Sequence, residues 1–334
     1  TTRNLGKLIA LSLITSTMLH ATNGDNLIAV GTKARGMGGV GIAVSHGAES
    51  GLGNGALITS VESTEIAFGG TLFMPDVTTT LNTMGGPMAP PAQNSYDSDA
   101  DMNMIPEVSI AHKIDENWYI GVGMWGTAGL GVDYSDANFA PASYQLGNLN
   151  MVTNLQLLQF GVPIAYKTGG LSLAVTPVMQ YGNLDINYQA PEFDPATGNP
   201  TGGFYNNGAG LSQDFGFGFN LGLAYDFAEQ GMPGLTLGAI YKSSIEMDYD
   251  DQLSIATAPF GDDILNGSNT LEQPEEYGVG IAYVMGQHTF AFDYKKIKWS
   301  DAEGYSDFGW DDSDVYAVGY AYTENEWTVR LGYN

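Results

Sequence analysis

The chain has four histidines, its bases that titrate near neutral pH, and no cysteine. His20, His46, His112 and His288 stand far apart, and none falls into H-E-x-x-H or another metal spacing. Ser109 and His112 are the one nucleophile and base close in sequence. A hydrolase also needs an orienting third group, and two residues of one ordinary strand are the simpler reading. Gly36, Gly38 and Gly41 spell G-x-G-x-x-G. That fingerprint binds a dinucleotide only between a strand and a helix, with an acid about 20 residues on, and no helical pattern follows it. Aspartates gather at Asp97, Asp99, Asp101 and at Asp311, Asp312, Asp314, without the calcium loop's spacing and final glutamate. They read as a solvated acidic face. Without cysteine there is no disulfide or thiolate metal site. A formal charge of −26 argues against a phosphate-binding surface, which needs clustered Lys and Arg. No enzyme activity, cofactor, metal or nucleic-acid partner is expected.

The chemistry left is that of surfaces, and Phe215–Phe227, FGFGFNLGLAYDF, shows it best. Odd positions are bulky and apolar, and even positions are small or polar, a period of two with two unlike faces. Thirteen residues of strand span about 40 Å, and tilted they rise about 30 Å, the thickness of a bilayer core. Charged residues are only 14% of the chain, aromatics 11%, and glycines number 45. No apolar run reaches a transmembrane helix. A membrane protein without such a helix must be a closed barrel, because lipid satisfies no backbone hydrogen bond.

Taken in order, residues 1–21 read as a signal peptide, with Arg3 and Lys7 before the apolar Leu8–Leu19 and Ala21 as the last residue before cleavage. Residues 22–60 are glycine-rich and without clear period, which suits a close-packed plug. From 61 to 334 the chain reads as strands. Eleven are expected: Thr64–Phe73, Pro106–Lys113, Trp118–Trp125, Met151–Tyr166, Leu171–Tyr188, Asp214–Phe227, Leu235–Tyr249, Glu275–Met285, His288–Trp299, Asp314–Tyr322 and Trp327–Tyr333. A bulge is expected where Lys295 and Lys296 adjoin. Connections alternate short (Ile114–Asn117, Thr168–Gly170, Glu229–Gly234, Gly286–Gln287, Thr323–Glu326) and long (Met74–Ile105, Gly126–Asn150, Gln189–Gln213, Asp250–Pro274, Ser300–Ser313), the habit of up-and-down barrels in the bacterial outer membrane.

These segments resemble the FadL-type outer-membrane transporters of long-chain fatty acids and other hydrophobic compounds. The likeness rests on NLIAVGTKARGMGGVGIAVSHGAES near the start and on Leu235–Tyr249, Leu271–Tyr283, Phe290–Asp301 and Trp327–Asn334 in order. It implies an all-β, transmembrane antiparallel up-and-down barrel of roughly fourteen strands, about 11 of them present, with an N-terminal hatch that includes Gly36, Gly38, Gly39 and Asn54, Gly55, Ala56. The family's Asn-Pro-Ala reads Asn54-Gly55-Ala56 here, and glycine loosens what proline fixes. An even count is usual, so about three C-terminal strands are expected beyond Asn334. Reading the gene past codon 334 checks this.

The resemblance implies passive transport of hydrophobic molecules, long-chain fatty acids first, with aromatic or alkane hydrocarbons as the alternative. A structural or adhesion barrel with partner-binding loops is the rival of another class. The apolar loop residues Leu130, Val132, Tyr134, Phe139, Tyr144 and Leu146 are expected to form an outer substrate groove. Loop 250–274 and the stretch 202–211 are its partner candidates. Gly121, Gly123 and Gly126 would let the third strand kink and open the wall sideways. Alternation assigns Asn220, Asp226, Lys242, Glu246, Asp293 and Arg330 to the lumen. There, pairing between charges is the leading role, and Lys242 or Arg330 would attract a carboxylate. Outer-membrane lipid and lipopolysaccharide are the expected surroundings of a monomer.

Overall fold

The computed structural model describes residues 22–83, 92–136, 150–198, 200–260 and 268–334. Antiparallel strands dominate it, and no described helix is long and apolar enough to cross a membrane, which says nothing of crossing by strands.

Twelve strands form the wall: β1 (Thr64–Phe73), β2 (Asn103–Lys113), β3 (Trp118–Asp133), β4 (Val152–Gly161), β5 (Ile164–Thr168), β6 (Leu171–Phe193), β7 (Ser212–Asp226), β8 (Leu235–Lys242), β9 (Glu276–Met285), β10 (His288–Ile297), β11 (Ser313–Glu324) and β12 (Trp327–Tyr333). Each pairs antiparallel with the next along the chain, save that β4 and β5 form one stave between β3 and β6. That stave is broken at Val162–Pro163, where proline has no N–H for the ladder. Eleven staves result, the number the alternation predicts. β1 and β12 are the two edges, each with one wall partner among the described residues.

The two faces follow from residue size. Phe215, Phe217, Phe219, Leu221 and Leu223 of β7 are exposed outward, while Gly216, Asn220, Gly222 and Ala224 are buried inward. Exposed apolar side chains cover the outer face from Phe68, 87% exposed, to Leu331, 62% exposed. In water so wide an apolar patch is a liability; against lipid it is what burial requires. Aromatic pairs mark both rims of this band. Trp118–Tyr166 and Tyr225–Phe227 lie near the short turns, and Tyr181–Phe215 and Tyr294–Tyr316 lie toward the long loops. Such girdles flank the apolar band of an outer-membrane barrel.

The inner face is small, and the N-terminal segment lies on it. A Cβ on Gly238, Gly319 or Gly332 would fall on the backbone of Ile42 or Met37. Buried Ala224, Ala282, Ala291, Ala317 and Ala321 complete the same belt. The segment contains the helical turns Thr32–Arg35 and Ser50–Gly53 and the 3₁₀ turn Gly55–Ser60. It also stands between the two edges. The Thr32 methyl faces Gly69 of β1, and Gly38 backs onto Tyr333 of β12.

Several boundaries differ from the alternation reading. β8 stops at Lys242, and Ser243–Ser244 shifts the phase, so Ile245, Met247 and Tyr249 are buried while Glu246 is exposed rather than lumenal. Asp226 is also exposed; it ends β7 and accepts the Ala228 amide at 2.9 Å, capping a turn. No bulge interrupts β10, whose register with β9 and β11 runs unbroken from His288 to Ile297. Lys295 points inward and Lys296 outward, each toward carboxylates. The long loops hold strands of their own: the hairpin Thr78–Thr83 with Ala92–Asp97, and Pro200–Gly208 on the extended end of β6.

Candidate functional site

Two neighbouring staves of the wall, β2 and β3, part. β2 and β3 pair in register from Lys113 with Tyr119 to Glu107 with Trp125, and there the pairing ends. β2 continues to Asn103 on β1, and β3 continues to Asp133 on β4. The register of β3 on β4 shifts between Gly126 and Ala128, so Thr127 is an extra residue. One extra residue bends a strand and flips its faces. Before it Tyr119 and Trp125 point inward. After it Leu130 packs against the inner core and Val132 and Tyr134 are buried.

A cavity of about 430 Å³ fills the parting. Met104 and Ile105 bound it on one side and Gly126 to Asp133 on the other. It reaches Leu158 and Tyr181 of the outer face and Gly24 and Leu27 of the N-terminal segment. Of the three glycines expected to allow a kink, Gly126 lies at the bulge, against Ile105. Gly121 packs under Pro163, and Gly123 under the Trp125 ring, so both make room for side chains rather than bend the strand. The freed part of β3 takes a new partner: Asn26 bridges Ala128, and the Asp25 carbonyl accepts the Gly129 amide at 3.1 Å.

Polar contacts fix the N-terminal segment to the wall. Asp293 accepts the amides of Gly41 and Ile42 at 2.7 and 2.9 Å. Asn54 donates to Ile42 O and Leu223 O and accepts the Ala56 amide. Gly55 sits close on β6, where a Cβ would meet Thr176 Oγ1 at 2.8 Å, and Ala56 is fully buried. Arg35 pairs with Glu107, the residue at the foot of the parting. Lys33 reaches Glu49 and Glu65, both at 3.5 Å. Gly36 faces Arg330, which forms no ion pair among the described residues; Gly38 and Gly39 have positive φ and close approaches that require glycine. Asn220 donates to Leu52 O, and Lys242 pairs with its register partner Glu276 at 3.2 Å, a pairing along the wall rather than across the lumen.

The outer end is an apolar knot. Val132 and Tyr134 lie inside this knot, and Val132 also lines the cavity. They are buried with Val77, Met151, Tyr188 and Ala256, and Tyr188 donates to Ala256 O at 2.6 Å. Leu130 lines the cavity. Phe139, Tyr144 and Leu146 lie outside the described residues, as do the signal segment 1–21 and Ile264 and Leu265 of the partner loop. Leu253 of that loop is buried in the main core, while Phe204 and Tyr205 are exposed.

Beneath the knot is a residue the sequence reading passed over. Asp25 is 1% exposed; its Oδ2 accepts the Tyr305 hydroxyl and, at 3.3 Å, the Gln273 amide, while Oδ1 has no partner. Trp299 and Trp310 press on Gly24 beside it. Burial pushes the Asp25 carboxyl up to about 6 against the hydrogen bonds that lower it. At the rim, burial raises Asp312, but hydrogen bonds from Lys298 and Ser300 prevail and hold it down at about 2. Ser109 is buried on the inner face and His112 is exposed on the outer face, bonded to Thr64 at 2.7 Å. The pleat thus separates the one candidate pair.

A girdled, antiparallel up-and-down wall with small inner residues defines a transmembrane β-barrel of the outer-membrane type. The family model described as outer membrane protein transport protein (OMPP1/FadL/TodX) matches residues 16–334, and the chain belongs to this family. A long-chain fatty acid transport protein of Escherichia coli O6:H1 is 26% identical over 273 residues, 72% of this chain and 51% of that protein. The chain thus spans about half the length of the curated relative it matches. The toluene transporter TodX of Pseudomonas putida shares the fold with a TM-score of 0.62 at 18% identity, covering 94% of this chain and 84% of that one. A FadL homologue of Pseudomonas aeruginosa gives a TM-score of 0.58 at 13% identity, covering 91% and 79%. The family comprises outer-membrane transporters rather than enzymes, and it places this chain in the outer membrane.

Proposed function

We propose that the protein passes hydrophobic molecules through the outer membrane passively and releases them sideways, through the parting of β2 and β3, into the bilayer. Residues 22–60 act as the hatch and the remainder as the barrel. The observation that carries this reading is the cavity itself. It joins the N-terminal segment to the outer, lipid-facing surface where β2 and β3 separate. A lumen closed by the segment leaves an apolar solute this path, and it avoids water at the exit. Burying an acyl chain supplies about 0.8 kcal/mol per CH₂, so no energy source is needed.

The relatives' names support both long-chain fatty acids and monoaromatic hydrocarbons as substrates. Leu130 and the loop residues near it form the receiving end, and the aromatic outer face meets membrane lipid and, above it, lipopolysaccharide, around a single copy of the chain.

The test fills the cavity. Gly129 lines the cavity, and after the bulge the pleat turns it to the exposed face opposite Leu130. Gly129→Phe is expected to cut uptake of labelled oleate and toluene at least tenfold in cells lacking their own transporter, with the barrel still folded. Gly129→Ala serves as control. Undiminished uptake by the folded Phe variant refutes the lateral route.

A further inference from the structure

Among the described residues Asp25 is a buried acid without a counter-ion. Its side-chain donors, Tyr305 and Gln273, both fall on one oxygen, and the other oxygen has no partner among the described residues. No described cation bears on it: Arg35 pairs with Glu107, Lys242 with Glu276, and Lys295 lies between Glu276 and Asp293. At the outer rim Lys296 and Lys298 are both tied to Asp312. Indole and phenol rings of Trp299, Trp310 and Tyr305 pack around the acid. In such surroundings a charge acts further than it would in water, because little solvent screens it.

Its position gives that field a target. Gly24 and Leu27, on either side, line the cavity, and the Asp25 carbonyl holds the Gly129 amide of the cavity wall. Asp25 itself does not line the cavity, but a second carboxylate entering it would feel a like charge from behind Gly24 and Leu27. An uncharged molecule of the same shape would not.

We propose that Asp25 is a specificity-determining residue that disfavours carboxylate-bearing substrates against uncharged ones of equal shape. This rests on the lateral route proposed above and adds the polarity of its substrate. The titratable groups facing Asp25 are Tyr305 and Tyr249, and burial keeps both phenols protonated, so neither offsets the charge. Above pH 7 the carboxyl is ionised. The geometry also provides a close test. Because both donors share Oδ2, an asparagine oxygen at that position accepts both, and its NH₂ replaces the oxygen that has no partner.

The experiment compares labelled oleate with methyl oleate, the same chain without the charge, at pH 8 in cells lacking their own transporter. The intact wild-type protein is expected to take up the ester faster. Asp25→Asn is expected to raise the ratio of oleate to ester uptake about tenfold, and Asp25→Glu to restore the wild-type ratio. A merely structural role would lower both rates together and leave the ratio unchanged, which would overturn the proposal. Equal wild-type rates for acid and ester would overturn it without any variant. Uptake of neither probe by the folded wild-type protein would refute the transport route as well.

Discussion

Replacing Asn54 with alanine should loosen the N-terminal segment without unfolding the wall. Asn54 is 1% exposed. Its amide donates to Ile42 O at 2.7 Å within the segment and to Leu223 O at 3.0 Å on β7. Its oxygen accepts the Ala56 amide at 3.1 Å and so caps the turn Gly55–Ser60. Gly222 leaves the room for it, since a Cβ there would fall on the Asn54 oxygen. Alanine removes all three bonds at once. At about 1 kcal/mol each the loss is about 3 kcal/mol, more where a buried carbonyl is left without a donor. That corresponds to roughly a hundredfold larger population of the undocked segment. Hydrogen exchange in detergent micelles reads it directly. Amides of residues 40–57 should exchange about a hundredfold faster, while those of β9 and β10 keep their wild-type rates. Asn54→Asp, which keeps the cap but turns a carboxylate oxygen on the carbonyls of Ile42 and Leu223, should exchange at least as fast as the alanine variant. Exchange within about threefold of wild type would show that these bonds do not hold the segment. Equal acceleration of β9 and β10 would show that Asn54 supports the whole barrel.

Asp25 gives the docked segment a pH dependence. Its docked value of about 6 lies above the ordinary 3.8, so between these values the docked state binds more protons. Docking therefore weakens as pH rises from about 4 to about 6 and is level above, a total of about 3 kcal/mol. Urea titrations followed by tryptophan fluorescence should show the midpoint falling across that window in wild type and not in Asp25→Asn. Gly55→Ala should destabilise by about 1–3 kcal/mol through overpacking on Thr176. Thr176→Ala should recover most of that loss, and additive melting temperatures in the double variant would refute the contact.

The sequence made the wall legible because its alternation is extreme in size: phenylalanine against glycine in β7, tyrosine and valine against glycine and alanine in β9 and β11. Such contrast needs no knowledge of the partner strand. The errors arose where the local pattern carries no such contrast. Around Gly126, Gly129 and Gly131 an extra residue leaves no gap in an apolar pattern, so β3 reads as ending at Trp125 when it runs to Asp133. Ser243 and Ser244 shift the phase silently, which misplaced Glu246. Lys295 looked like a defect because its solution, Glu276 on the neighbouring strand, lies nineteen residues away in sequence. Asp25 was invisible for the same reason: Tyr305 is 280 residues away. Nothing near an aspartate in a glycine-rich stretch tells that it is buried.

The parting and the N-terminal segment form one energetic unit. Beyond the bulge, β3 has lost β2 as a ladder partner, and its backbone lies against apolar side chains, where an unpaired amide costs about 1–3 kcal/mol. The segment supplies part of what is missing, through Asn26 opposite Ala128 and the Asp25 carbonyl on Gly129. Residues 24–27 therefore cannot withdraw while β3 keeps its course unless those groups find other partners. At the foot of the parting the coupling repeats, since Glu107 accepts the Gly31 amide at 3.3 Å and also pairs with Arg35. The width of the parting and the seating of the segment must change together, and the small inner face lets the backbone of Met37 and Ile42 approach the wall that holds both.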